Sequence, residues 1–367
     1  MSIQSINPYN NEIIAEYQKM SNSQIGSIIE RTAATQEIWS QESFTRRAEL
    51  LLALARRLRA DLEELARLMV REMGKPITAA RSEIEKCAWV CEYYAEHGEA
   101  HLAREVMETD ASFSAVEYRP LGVILAVMPW NFPFWQVFRF LAPSLMAGNG
   151  AILKHASNVT GCSLALEELV RKAGAPEDLF RSIVVSGANV APVIDHPQIR
   201  GVSVTGSVPA GRAVAERAGR SLKKCVLELG GSDPYLVLAD ADLDLAARTC
   251  AAARLINSGQ SCIAAKRFIV ERQVIDEFRS RFAGEMTSFV VGDPMDEKTQ
   301  VGPLARTDLR DELHGQVRET VAGGASCTLG GSVPDTPGAF YPITVLDEVP
   351  PNTPGYADEL FGPVASI

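Results

Sequence analysis

Val123-Ile124-Leu125-Ala126-Val127-Met128, followed at once by Pro129-Trp130-Asn131-Phe132-Pro133, is the stretch from which the fold is read. Six apolar residues without polar alternation describe a strand buried on both faces, the kind found in a parallel sheet. The prolines stiffen the following loop and disfavour helix until Phe134. Beyond it, strand-like and helix-like runs alternate. Residues 151–154 precede a helix reaching 173, and 183–185 precede a helix reaching 194. Residues 201–204 precede a helix at 209–218, and 226–228 follow. This order is the βαβ signature of a doubly wound α/β sheet. A second α/β region starts at 234–238, with an alanine-rich helical run at 242–256 and a β-type run at 267–270.

Upstream, residues 1–20 read as a short strand pair around Asn10-Asn11. Residues 23–102 are helical in three pieces, with Ser23 and Thr45 as N-caps and Gly74-Lys75-Pro76 closing the middle helix. Leu50, Leu51, Leu54, Leu58, Leu62, Leu65 and Leu68 follow helical spacing and form a core stripe. Residues 113–119 alternate like a strand before the turn at Pro120-Leu121-Gly122. The last residues, Val364-Ala365-Ser366-Ile367, read as an apolar strand without a partner, an aggregation liability.

A chain of 367 residues is long enough for two or three compact units. Its net charge of -10 argues against a nucleic-acid partner. The seven cysteines are scattered and odd in number, which fits a reducing compartment better than a disulfide framework. The first residues contain neither a basic nor an apolar leader segment, and no apolar run approaches membrane-spanning length. The expectation is a cytoplasmic protein. Cys87 with Cys91, and His97 with His101, share helix faces at i, i+4, but packing and a solvated helix end account for them better than a metal site does.

The chemistry-bearing residues fall where strands end, the place at which doubly wound sheets bind ligands. Asn257-Ser258-Gly259-Gln260-Ser261-Cys262 sets a thiol in a Gly-containing loop between a helix and a strand, within reach of a ligand. A cysteine nucleophile also needs surroundings that favour thiolate over a thiol of pKa ~8.5; otherwise Cys262 is a small buried hydrophobe. Asn131 offers amide donors to an oxyanion, or else caps the helix beginning near Phe134. Lys154 ends a strand where a cation can meet a phosphate or ribose hydroxyl, with Ser157 just beyond; a solvated surface lysine is the alternative. Thr205-Gly206-Ser207-Val208-Pro209-Ala210-Gly211 reads as strand end, Gly turn and helix N-terminus, suited to a pyrophosphate. Glu228-Leu229-Gly230-Gly231 places a carboxylate at a strand end, as a general base on water or simply an edge glutamate.

Taken together, these motifs and Glu359-Leu360-Phe361-Gly362-Pro363 resemble, in order and spacing, the aldehyde dehydrogenase superfamily over essentially the whole chain. Met73-Gly74-Lys75-Pro76, Leu153-Lys154-His155-Ala156, Lys223-Lys224-Cys225-Val226-Leu227-Glu228 and Ala264-Ala265-Lys266-Arg267 resemble the bacterial succinate-semialdehyde dehydrogenases most. The resemblance implies a Rossmann-type dinucleotide-binding domain, 1–229, with 109–121 as a protruding oligomerisation segment. It also implies an α/β catalytic domain, 230–367, that lacks its C-terminal part. It implies Cys262 as nucleophile, Asn131 as oxyanion donor and Glu228 as base. NAD or NADP would be held by Trp130, Lys154, Ser157, Gly206, Ser207, Gly211, Leu229, Glu359 and Phe361. Arg139 and Trp135 would face a small aldehyde substrate, without a metal. A homodimer or homotetramer is implied for the full-length form.

Two departures bear on specificity. Ser157 stands where NAD-selective relatives commonly carry Glu, so a 2′-phosphate would not be repelled. Ile256 stands where some succinate-semialdehyde relatives have a second arginine, which leaves room for broader aldehyde use. Rival readings are an inactive protein on the same fold and a cysteine hydrolase, the latter needing a histidine such as His155 or His196 beside the thiol.

Overall fold

The computed structural model describes residues 2–367 and separates into two compact units. The first comprises the residues up to Ser5, then 15–68 and 81–229; the second comprises 6–14, 69–80 and 230–367. The straight division at 229/230 expected from the sequence therefore leaves out two early segments that belong with the later unit. The physical reason is local packing. Gly74, at φ +80°, would place a Cβ 2.9 Å from side-chain atoms of both Pro8 and Pro303, and the Ile77 N–H donates to the Pro294 carbonyl (2.8 Å).

The chain opens with a two-stranded sheet, β1 (Ser2–Ile6) and β2 (Ile13–Gln18). Four helices follow rather than three: α1 (Asn22–Trp39), α2 (Phe44–Ala60), α3 (Leu62–Met73) and α4 (Ile77–His101). The caps lie two residues earlier than expected. Ser21 caps α1 because Gln24 at N3 completes a reciprocal capping box, and Ser43 caps α2 through the Arg46 N–H. Asp61, whose carboxylate takes both Arg57 N–H donors at 2.6 Å, divides the leucine stripe between α2 and α3. Leu50, Leu51, Leu54, Leu58 and Leu65 are buried; Leu62 and Leu68 are partly so. A small exposed hairpin, β3 (Glu105–Val106) with β4 (Ala115–Val116), is all that forms of the strand expected at 113–119.

The first unit's main sheet has the order β7-β6-β5-β8-β9, all parallel. Its strands are β5 (Val123–Met128), β6 (Gly150–His155), β7 (Phe180–Ser182), β8 (Ile199–Gly206) and β9 (Lys224–Leu229). Connecting helices are α5 (Trp135–Met146), α6 (Thr160–Lys172), α7 (Ala191–Asp195) and α8 (Val208–Arg220). Val123 and Leu125 join a buried cluster with Ile25, Ile29, Val193 and Val214, drawn from α1, α7 and α8. Their alternates Ile124 and Met128 line the opposite face with Gln136 and Phe140 of α5. The strand expected at 183–185 is instead 180–182. Arg181 there is tied to Glu167 and Asp178, which hides the strand's apolar alternation.

The second unit's sheet has the order β10-β11-β14-β13-β12. Its strands are β10 (Pro234–Val237), β11 (Arg267–Val270), β12 (Ser326–Leu329), β13 (Thr344–Asp347) and β14 (Val364–Ser366). Helices α9 (Leu243–Leu255), α10 (Ile275–Thr287), α11 (Thr307–Ala322) and α12 (Pro354–Ala357) accompany it. Phe268, Phe278 and Phe282 centre its core, the last two stacked at 5.3 Å. The unpaired terminal strand expected from the sequence is not what forms. β14 lies inside the sheet, parallel to β13 on one side and to β11 on the other, and is fully buried. Its apolar residues are explained by burial on both faces.

In the first sheet, β5→β6→β7 progress one way and β8→β9 the other, so the topological switch lies between β5 and β8. The loop after β5 is anchored there by His155. Its Nδ1 accepts from the Ala156 N–H (2.9 Å), so Nε2 carries the proton and donates to the Pro133 carbonyl (2.9 Å). Burial pushes this imidazole's pKa down to about 4. An unfolded chain takes up the proton near pH 6.5, whereas the folded chain resists until about 4. His155 thus contributes stability that is complete above pH 6.5 and lost as pH falls toward 4, by up to about 3 kcal/mol. Urea unfolding of His155→Gln should show a shallower loss between pH 6.5 and 4.5 than the parent; equal slopes would contradict this account.

Candidate active site

In the first unit, parallel register brings the expected residues to one edge. Val127 pairs with Lys154 and with Val204, while Thr205 pairs with Glu228 and Gly206 with Leu229. Lys154 and Glu228 are three strand spacings apart, roughly 14 Å. Between them emerge the loop carrying Trp130 and Asn131 and the N-terminus of α8.

Asn131 is buried at 4% exposure and Trp130 half-buried. Asn131 is not the cap of α5. The Phe134 and Trp135 N–H groups both donate to Glu83 Oε1 (2.9 Å each), a carboxylate reaching in from α4. Nothing in the local sequence pointed to Glu83, because its role arises only from packing of α4 against this loop. Trp135 lies under the Lys86 ammonium, 4.0 Å from the ring centre.

Lys154 is not a solvated lysine. It is 9% exposed, and among the described residues no carboxylate pairs with it; burial alone holds its pKa below the ordinary value. A buried, uncompensated ammonium at a strand end suits a phosphate or sugar hydroxyl. Ser157, half-buried, opens a short 3-10 turn two residues after β6.

Ser207 caps α8 through the Ala210 N–H (3.5 Å), and Gly206 ends β8. Gly211 has a different task. A Cβ there would sit 2.5 Å from Leu229 Cδ2, so the missing side chain lets α8 close on β9. Gly211 and Leu229 thus form one packing contact that sets where the helix N-terminus lies.

Glu228 is exposed and lies 3.4 Å from Arg139 Nη1, while Arg139 Nη2 donates to Thr205 Oγ1 (3.3 Å). Both line a largely apolar cavity of about 400 Å³ with Met128, Gln136 and Phe140. The pairing of Arg139 with Glu228 was not readable from sequence, since 88 residues lie between them.

In the second unit, Cys262 is half-buried, follows a 3-10 turn (Ile256–Gly259) and precedes β11. Asn257, Ser258 and Gly259 have φ of 55°, 57° and 76°, consecutive left-handed residues. The Gly302 N–H donates to Ser258 Oγ (2.9 Å) and the Ala305 N–H to Gln260 Oε1 (2.9 Å). Gly259 is required twice over, because a Cβ would meet the Gly362 carbonyl oxygen at 2.1 Å. Two buried cations also grip this loop. Arg254 donates to the Gly259 carbonyl (2.6 Å) and Lys266 to the Cys262 carbonyl (2.7 Å). Glu359 lies 3.1 Å from Lys266 Nζ, and Phe361 is half-buried.

Cys87, Cys91, Cys162 and Cys250 are buried, and burial raises the thiol pKa of Cys91 and, to about 11, that of Cys250. Partial burial also raises the Cys225 and Cys327 thiols. His97 and His101 pack against Tyr93 with tilted rings, and no three metal-ligating side chains cluster among the described residues. His155 and His196, the two histidines offered as the base of a cysteine hydrolase, lie in the first unit; both ring nitrogens of His155 are engaged there, and His196 Nδ1 accepts from the Gln198 N–H (3.3 Å).

The model of the Aldehyde dehydrogenase family matches residues 1–367. The chain is 47% identical over 365 residues to a probable succinate-semialdehyde dehydrogenase (NADP+) of Synechocystis sp., covering 100% of this chain and 80% of that protein. It is 46% identical over 363 residues to the succinate semialdehyde dehydrogenase (NAD(P)+) of Escherichia coli K12, covering 99% and 79%. A crystal structure of succinic semialdehyde dehydrogenase from Streptococcus pyogenes with NADP+ superposes with a TM-score of 0.97 at 36% identity, over 100% of this chain and 80% of that one. With a strand-end cation, a carboxylate and a loop-borne thiol arranged as described, this chain belongs to the aldehyde dehydrogenase family.

Proposed function

We propose that the protein oxidises an aldehyde carrying a distal carboxylate, of the succinate semialdehyde type, to the acid, with NADP or NAD. The observation that carries this reading is Arg139, which shares an apolar cavity with the carboxylate of Glu228. Relatives named for this reaction, with NADP+ or NAD(P)+, support it.

In this reading the Cys262 thiolate attacks the carbonyl carbon, and the Asn131 amide donates to the oxyanion that forms. A nicotinamide held by the residues named below would supply the hydride acceptor. Loss of hydride leaves a thioester on Cys262, and Glu228 removes a proton from the water that hydrolyses it, returning the thiolate. A thioester hydrolyses more readily than an oxygen ester, so the acyl group does not trap the enzyme. Lys154 and Ser157 would hold the adenosine ribose, Ser207 and the α8 N-terminus the pyrophosphate, and Glu359 and Phe361 the nicotinamide end. The uncompensated ammonium of Lys154 fits such a group.

Arg139 would receive the substrate carboxylate. Its resting contact with Glu228 joins side chains 37% and 53% exposed, worth under about 1 kcal/mol. A substrate carboxylate can displace it, which also frees Glu228 for water. Assembly through the 109–121 segment is part of the same proposal; Phe113, Val116, Tyr118 and Leu121 there are exposed.

Formation of reduced nicotinamide on adding succinate semialdehyde tests the reading. Cys262→Ser should abolish turnover, and Glu228→Gln should retain one burst of reduced cofactor while losing steady-state rate about 100-fold or more. A burst-free Glu228→Gln with normal turnover would remove that residue as base. Arg139→Ala should lose kcat/KM on succinate semialdehyde far more than on propanal; equal losses would remove Arg139 from the substrate site. Ser157 in place of a carboxylate predicts measurable activity with both cofactors, and a preference for NAD above roughly a thousandfold, about 4 kcal/mol, would contradict that.

A further inference from the structure

Lys266 lies four residues after the thiol, in a stretch to which the mechanism above gives no role. It is 1% exposed. Its backbone is held from both sides, the Lys266 N–H donating to the Asp233 carbonyl (3.4 Å) and the Ser366 N–H to the Lys266 carbonyl (3.2 Å). The ammonium therefore projects from a fixed base. It donates to the carbonyl of Cys262 itself (2.7 Å) and lies 3.1 Å from Glu359 Oε1.

Glu359 is confined just as closely on its other side. A Cβ on Gly230 would fall 1.8 Å from Glu359 Oε2, so the carboxylate rests directly against the bare backbone at that position. Arg254, fully buried and bonded to the Gly259 carbonyl, also feels the Glu359 charge. Two carbonyls of the nucleophile loop, at 259 and 262, thus hang from two buried cations, one of them paired with Glu359.

We propose that Lys266 is a positioning residue, joining the backbone of the nucleophile to Glu359 so that this carboxylate helps to set how Cys262 presents its thiol. The inference rests on the reading of Cys262 as nucleophile and deepens it. Removing the Lys266 side chain strands a carboxylate and a carbonyl together. The loop that carries Cys262 then loses one of its two cationic tethers, and the thiolate loses a nearby positive charge.

The test uses the full chain without cofactor. Iodoacetamide labelling of Cys262, followed by peptide mass spectrometry at pH 7.5, is compared with the melting temperature for three variants. Lys266→Met should label Cys262 at least about fivefold more slowly than the parent while keeping the parent's circular dichroism spectrum. Adding Glu359→Gln in that background should recover part of the lost melting temperature, because it neutralises the stranded carboxylate. Glu359→Gln alone, which keeps the shape and serves if Lys266→Met fails to fold, should change the labelling rate at least about twofold. Labelling within twofold of the parent in every folded variant, with only the melting temperature lowered, would make Lys266 a purely structural lysine and overturn the proposal. The two readings fail separately. Absence of aldehyde oxidation with labelling still governed by Lys266 would sink the function alone, and active enzyme with unaffected labelling would sink the positioning role alone.

Discussion

Three consecutive left-handed residues ahead of Cys262 are the constraint on which the second unit's site depends. Such backbone costs roughly 1–2 kcal/mol for each residue that carries a Cβ, and Asn257 and Ser258 both do. It persists only where the surroundings over-determine it. Here they do. Ser258 and Gln260 are engaged by backbone N–H groups at 302 and 305, and Arg254 draws in the Gly259 carbonyl. The Gly362 carbonyl occupies the space where a side chain at 259 would stand. Residues forty to a hundred positions downstream in the chain therefore decide where the thiol lies.

The first unit solves a different problem by register. Parallel pairing aligns the ends of β6, β5, β8 and β9, so a cation, an amide, a helix N-terminus and a carboxylate share one sheet edge. Side chains from other elements then fix that edge. His155 holds the loop after β5 by the Pro133 carbonyl, Glu83 satisfies the first N–H groups of α5, and the Gly211–Leu229 contact seats α8. Each of these residues lies behind that edge.

What could be read in advance follows from how local each signal is. A strand buried on both faces leaves an unbroken apolar run, and β5 and β11 were legible residue for residue. β7 was not, because the ion-paired Arg181 interrupts its apolar pattern. Helix caps were displaced by two residues, since Ser21 and Ser23 look alike until the side chain of Gln24 chooses between them. The terminal apolar run was read as an orphan edge, yet β13 and β11 flank it. Strand neighbours come from anywhere in the chain, so their presence leaves no mark on the run itself.

The sequence by itself determined the alternation of strands and helices, the placing of reactive side-chain types at strand ends, and the motif set that resembles one family. These depend on periodicity and on residue chemistry at short range, which a linear chain displays openly. Tertiary structure alone decided that Lys154 is a buried cation, that Arg139 faces Glu228, that Glu83 caps α5, and that Lys266 ties Cys262 to Glu359. Those rest on burial and on pairings of charges and donors, most of them across tens of residues. Their energies depend on desolvation and distance, and neither quantity exists until the chain has folded.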